Sequence, residues 1–128
     1  MHSEKQHDVL LVDDAEDIRM LLRMAIKKHG GLTVVGEAAD GLEAVQQASE
    51  LQPDLVLLDL AMPRMDGLEA LPLIRAAVPD VRVIVLSGFN QSALADKAIE
   101  AGADHYVAKG GSIRALLELA EELLRSPT

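Results

Sequence analysis

The chain of 128 residues contains no cysteine and no tryptophan, and its only aromatics are Phe89 and Tyr106. Without cysteine, disulfides, thiolate nucleophiles and cysteine-built zinc sites are excluded on the protein's own residues. With so few aromatics, the core has to be aliphatic, built from Leu, Val, Ile and Ala. No apolar run approaches the ~20 residues needed to cross a bilayer. Residues Met1–Asp8 are polar, unlike a secretory leader. Basic charge is also short: 12 Lys and Arg against 21 Asp and Glu give a net charge of −9. Duplex binding needs cations that displace counterions, so this balance argues against direct contact with nucleic acid. A glycine-rich phosphate loop, a GxSxG elbow and an HExxH helix are all missing. The expectation is a cytoplasmic protein of one domain, long enough to bury roughly two thirds of its unfolded-state surface.

What the chain does have is strand and helix in alternation, five times over. Short apolar runs at Val9–Val12, Leu55–Leu58 and Val81–Leu86 read as strands, with weaker ones at Leu32–Ala38 and His105–Ala108. Between them lie helical stripes. Ile18, Leu21, Leu22, Ala25 and Ile26 recur at helical spacing and end at His29-Gly30-Gly31. Asp40 caps a helix to about Leu51 that buries Leu42, Val45 and Ala48. Asp66 caps another through about Val78, with Pro72 inside it as a point of kinking or shortening. Ser92–Ala101 is a small helix, and Ile113, Leu116, Leu117, Ala120, Leu123 and Leu124 mark the last. The histidines at 2, 7, 29 and 105 are scattered over tail, tail, helix end and strand. Such alternation predicts an α/β fold, a doubly wound five-stranded parallel sheet covered on both faces. Strands one, three and four are uniformly apolar, as central strands should be, and two and five are more polar, as edges should be. That polarity agrees with the 2-1-3-4-5 order of flavodoxin-like sheets, whose ligand crevice lies between strands one and three.

The carboxyl ends of parallel strands share one edge of the sheet. Asp13 and Asp14 follow the first strand, Asp59 ends the third, Ser87 the fourth, and Lys109 follows the fifth. Packed carboxylates repel and raise one another's pKa unless a cation is present. Magnesium, which takes oxygen ligands and phosphate, answers that conflict. Singly, Asp14 reads equally well as a helix cap and Asp59 as a turn residue, while a lone serine before Gly88 is usually a turn residue and a lone lysine such as Lys109 usually a solvated charge. Together they point to a site for a divalent cation and a phosphoryl group.

Those residues, and the segment Pro53-Asp54-Leu55-Val56-Leu57-Leu58-Asp59-Leu60-Ala61-Met62-Pro63-Arg64-Met65-Asp66-Gly67, resemble the receiver domain of bacterial two-component response regulators. The match runs from about Asp8 to Leu124, leaving one receiver domain over residues 1–128 with its core at 8–124. The resemblance implies that Asp59 accepts phosphate from a phosphohistidine on a sensor histidine kinase or phosphotransfer protein. It implies a Mg²⁺ site of Asp13, Asp14, Asp59 and the backbone carbonyl of Ala61, with Lys109 contacting the phosphate. Ser87 and Tyr106 become the switch pair, remodelling the surface of helix four, strand five and helix five for an output protein. The spelling around Gly41–Ala44 and Ala101–Asp104 is similar to receivers that carry a helix-turn-helix output domain. Two departures matter. Gly110-Gly111 follows Lys109 where the family commonly has a cis-proline; a cis bond before glycine costs roughly 2.5–4 kcal/mol, so a trans, looser loop is expected. Phe89 is bulky where many members are polar and, with Ala61, is a candidate for governing the lifetime of the phosphoryl group.

Two other readings compete with a phosphorylation-switched signalling module. A pseudo-receiver that binds partners constitutively would not need the full set of Asp13, Asp14, Asp59, Ser87 and Lys109. A haloacid-dehalogenase-type phosphohydrolase would carry a second aspartate where Ala61 stands. Because the sequence stops near the end of the fifth helix, the expectation is a stand-alone receiver, monomeric or dimerising on phosphorylation, with a fragment of a longer DNA-binding regulator as the alternative.

Overall fold

The computed structural model describes residues 6–88 and 92–125; Phe89 lies outside them. Five strands, β1 (His7–Val12), β2 (Leu32–Ala38), β3 (Leu55–Asp59), β4 (Arg82–Ser87) and β5 (His105–Ala108), alternate with five helices. The helices are α1 (Glu16–His29), α2 (Gly41–Leu51), α3 (Gly67–Ala77), α4 (Ser92–Glu100) and α5 (Ile113–Arg125). All strand pairs are parallel and the order is β2-β1-β3-β4-β5. Both the fold and the strand order expected from the sequence are therefore found.

Successive side chains on a strand point to opposite faces, so a central strand needs apolar residues at every position when both faces are covered. Val9 and Leu11 of β1, Leu55 and Leu57 of β3, and Ile84 and Leu86 of β4 pack with Leu22, Ile26, Leu116 and Leu117 of α1 and α5. Their neighbours Leu10, Val12, Val56, Leu58, Val83 and Val85 pack on the other face with Ala44, Ala48, Leu71 and Ile74 of α2 and α3, and with Ala95 and Ala98 of α4. The two faces differ in bulk. Alanines dominate the α2 and α4 contributions and let those helices approach the sheet closely.

Helix starts follow their caps. Asp40 accepts from the Glu43 amide at 2.9 Å, and Asp66 forms a capping box with Glu69. Pro72 does not shorten α3, which continues to Ala77. Four local expectations are corrected. Leu42 and Leu21 are each 53% exposed, because the sheet takes only the narrow Ala44/Ala48 and Leu22/Ile26 stripes. His7 is the first residue of β1 rather than tail, and its amide donates to the Gly31 carbonyl. Asp14 is not a helix cap: Ala15 holds that position, and the Asp13 carboxylate accepts from the Ala15 amide at 2.9 Å.

Candidate functional site

Register brings the carboxylates together. Val12 pairs with Leu58, so the next residues, Asp13 and Asp59, emerge side by side at the carboxyl edge. Asp59 pairs with Leu86, and Ser87 with Ala108, which sets Lys109 one residue beyond the sheet. The Lys109 amide donates to the Ser87 carbonyl at 2.8 Å. From there the lysine side chain reaches back across β4, and its Nζ lies 3.0 Å from both Asp13 Oδ2 and Asp59 Oδ1.

Asp13 and Asp59 are each 1% exposed, and Ser87 is buried too, whereas Asp14 is exposed at the mouth. Asp13 is held from three sides. Its amide donates to the Ala38 carbonyl, its carbonyl accepts from Arg19 Nη1 at 2.6 Å, and its Oδ1 accepts from the Ala15 amide. Arg19 is itself fixed by Glu37 of β2 at 3.0 Å. Asp59 Oδ1 accepts from the Ala61 amide at 3.3 Å. One oxygen of each buried carboxylate is left without a hydrogen bond: Asp13 Oδ2, which has only the ionic contact with Lys109, and Asp59 Oδ2.

Buried unsatisfied oxygens are costly, and native structures keep few of them without a functional reason. Burial pushes the Asp59 carboxyl up in pKa and the Asp13 charge adds to that, while Lys109 and the Ala61 amide oppose it. Burial alone would lower the Lys109 ammonium, but the Asp59 and Asp13 carboxylates outweigh it and raise its pKa. Three carboxylates whose oxygens come within 4.8 Å of one another, set against one ammonium, leave two uncompensated negative charges. A divalent cation cancels that excess, and oxygen donors left free by the protein are what Mg²⁺ takes. The donor set therefore fits the ion.

Of the residues singled out from the sequence, Asp13, Asp14, Asp59 and Lys109 form one cluster. Ser87 adjoins it at the end of β4, and Ala61 touches it through its amide. Tyr106, 40% exposed on the edge strand β5, is away from it on the surface. No cis peptide occurs among the described residues, so the Lys109–Gly110 bond is trans as expected, and Gly110 takes a positive φ of 87°. Sequence reasoning missed Arg19 and Arg64. Each acts through a partner distant in sequence, and nothing local announces it.

A family model described as "Response regulator receiver domain" matches residues 9–121. Chemotaxis protein CheY of Thermotoga maritima is 44% identical over 101 residues, covering 79% of this chain and 83% of that protein. Response regulator protein VraR of Staphylococcus aureus is 37% identical over 117 residues; the match covers 91% of this chain but only 56% of VraR. Among solved structures, the response regulator domain of Thermotoga maritima CheB superposes with a TM-score of 0.88 at 33% identity, covering 97% of this chain and 100% of that one.

Proposed function

The chain belongs to the response regulator receiver family, and from that premise we propose that Asp59 accepts a phosphoryl group from a phosphohistidine on a sensor histidine kinase or phosphotransfer protein. The carrying observation is the Asp59 carboxylate itself: buried, free at Oδ2, and held at Oδ1 by an ammonium 3.0 Å away. The site serves a signalling domain that promotes its own phosphoryl transfer and its own dephosphorylation.

Asp13, Asp14, Asp59 and the Ala61 carbonyl would hold Mg²⁺. When bound, the ion neutralises charge on the phosphoryl oxygens. Asp59 Oδ2 attacks phosphorus in line. An O–P bond forms as the P–N bond to the donor imidazole breaks, and the electron pair leaves on that nitrogen. Lys109 moves from the carboxylates to a phosphoryl oxygen, exchanging one negative partner for another and so remaining an ammonium. Ser87 donates its hydroxyl to a second oxygen. Space opened by that movement is filled by Tyr106, which rotates in from the surface and couples the site to the face of α4, β5 and α5. The acyl phosphate places about −1.5 to −2 charges where one carboxylate stood. Shifting that face from ~1% to ~99% active takes about 5.5 kcal/mol of preference for the active state. New charge-assisted hydrogen bonds from Lys109 and Ser87, at about 1.5–3 kcal/mol each, cover much of that.

We place the phosphorylation switch in a receiver domain with its core at 8–124, which acts on an output protein by contact, without itself touching nucleic acid, as a monomer or a phosphorylation-dependent dimer. A small phosphodonor tests the reading. With Mg²⁺, wild type gains one phosphoryl group, and the gain disappears in Asp59→Ala and on chelation. Label that persists in Asp59→Ala refutes the assignment.

A further inference from the structure

The segment joining β3 to α3 is clamped to the start of α2 by an arrangement that phosphoryl chemistry does not by itself require. Asp40 is completely buried, although its partner Arg64 is largely exposed. One carboxylate oxygen of Asp40 accepts from the Glu43 amide at 2.9 Å, and the other pairs with Arg64 Nη2. Beside this pair, the Gly41 amide donates to the Met65 carbonyl at 2.8 Å. The approach is so close that a Cβ on Gly41 would sit 2.4 Å from that carbonyl oxygen. Arg64 makes the contact from a left-handed backbone, φ +65°, a conformation that costs a side-chain-bearing residue roughly 1 kcal/mol relative to glycine. Glycine would fill that turn without strain. Arginine there gives up backbone ease and gains a charge that reaches α2.

The clamped segment begins at Asp59 and passes through Ala61, whose amide already touches the Asp59 carboxylate. We infer that Asp40 and Arg64 are positioning residues: by tying the segment after Asp59 to α2, they fix the Ala61 backbone and so set the affinity of the site for Mg²⁺. This rests on the metal reading proposed above. Supporting groups around a metal ligand typically change affinity 10–100-fold when altered. Ala61 would supply one neutral donor among three carboxylates, so the low end is expected.

The test uses the whole chain and Mg²⁺ alone, followed by NMR, with no phosphodonor. Arg64→Gly relieves the strained turn but leaves the buried Asp40 carboxylate without its charged partner, so it should melt below wild type while staying folded, and weaken Mg²⁺ binding about tenfold. Asp40→Asn, which keeps the helix cap, should melt below wild type at neutral pH and weaken Mg²⁺ binding by a similar factor. Arg64→Lys, with a point charge in place of the planar fork, should fall between. Both single changes remove one contact, so the double variant should lose no more than either single one. Independently of metal, exchange of the Gly41 amide should quicken about tenfold in Arg64→Gly as the clamp opens. Unchanged Gly41 exchange overturns the clamp. Quickened exchange with Mg²⁺ affinity within about twofold of wild type overturns its link to the site. Wild type failing to bind Mg²⁺ would refute the metal reading, and this inference with it.

Discussion

Gly67, the first residue of α3, is where the helix touches the strand that carries Asp59. Its amide donates to the Leu60 carbonyl at 3.0 Å, closing the loop between β3 and α3. A Cβ built there would lie 2.2 Å from the Asp59 carbonyl oxygen and 3.0 Å from its carbon. Ordinary contact begins near 3.4 Å, so Gly67→Ala must separate α3 from the end of β3 by about 1.2 Å. The obstacle is backbone, with no flexible tip to move aside. Overpacking of this kind costs roughly 1–3 kcal/mol. The helix-propensity gain of alanine, at most ~1 kcal/mol in a helix interior, is smaller still at a first turn and does not cancel it. At roughly 4 °C per kcal/mol for a chain of this size, Gly67→Ala should melt about 4–12 °C below wild type in calorimetry. Gly111→Ala is the control: its Cβ meets only the Ala108 carbonyl oxygen at 3.5 Å, an ordinary contact. Gly67→Ala melting within about 2 °C of wild type would refute the claim that this contact is closed to a side chain.

Other outcomes follow from charge. The Asp40 pKa is lowered, first by the Glu43 amide and then by Arg64. Its contribution to stability is therefore full above the ordinary value of 3.8 and lost as pH falls through the lowered one. The melting difference between wild type and Asp40→Asn should shrink on acidification below 3.8, and a difference constant with pH would contradict this. Asp59 has the opposite sign. Its pKa is raised by burial and then by Asp13, so the stability it lends to the folded state below 3.8 is lost as pH rises through the raised value. Metal-free Asp59→Asn should hence melt above wild type at neutral pH, with the gap closing in acid; a lower melting temperature at neutral pH would count against it. Substituting Phe89 with a small polar residue should change the lifetime of the phosphorylated protein, measured as loss of label after the phosphodonor is removed. An unchanged rate would remove Phe89 from the account.

Much of this site could be read from the chain because the sheet is covered on both faces. Uniform apolar runs then mark central strands, and their carboxyl ends converge on one edge, so Asp13, Asp59 and Lys109 could be placed before any geometry was known. Helix faces were harder to read. Leu21 and Leu42 keep helical spacing but lie outside the stripe the sheet takes, and spacing alone does not give the width of a contact. Asp14 looked able to cap α1, but the cap position falls one residue later at Ala15, whose amide donates to the Asp13 carboxylate instead. The lysine bridge was legible only as proximity, since its 3.0 Å contacts depend on how far β5 is staggered past β4. The pairing of Asp40 with Arg64 was not legible at all. A buried carboxylate that already caps a helix gives no sequence signal of a second partner in another loop.

The central claim is that Asp59 accepts the phosphoryl group as an acyl phosphate. Borohydride reduces an aspartyl phosphate to homoserine, which leaves a permanent mark at the residue that carried it. Treatment of wild type with a small phosphodonor and Mg²⁺, followed by reduction and peptide mass spectrometry, should give homoserine at position 59 and none when the metal is chelated. Homoserine at another aspartate, or an unmodified Asp59 after full exposure to donor and metal, would contradict the account.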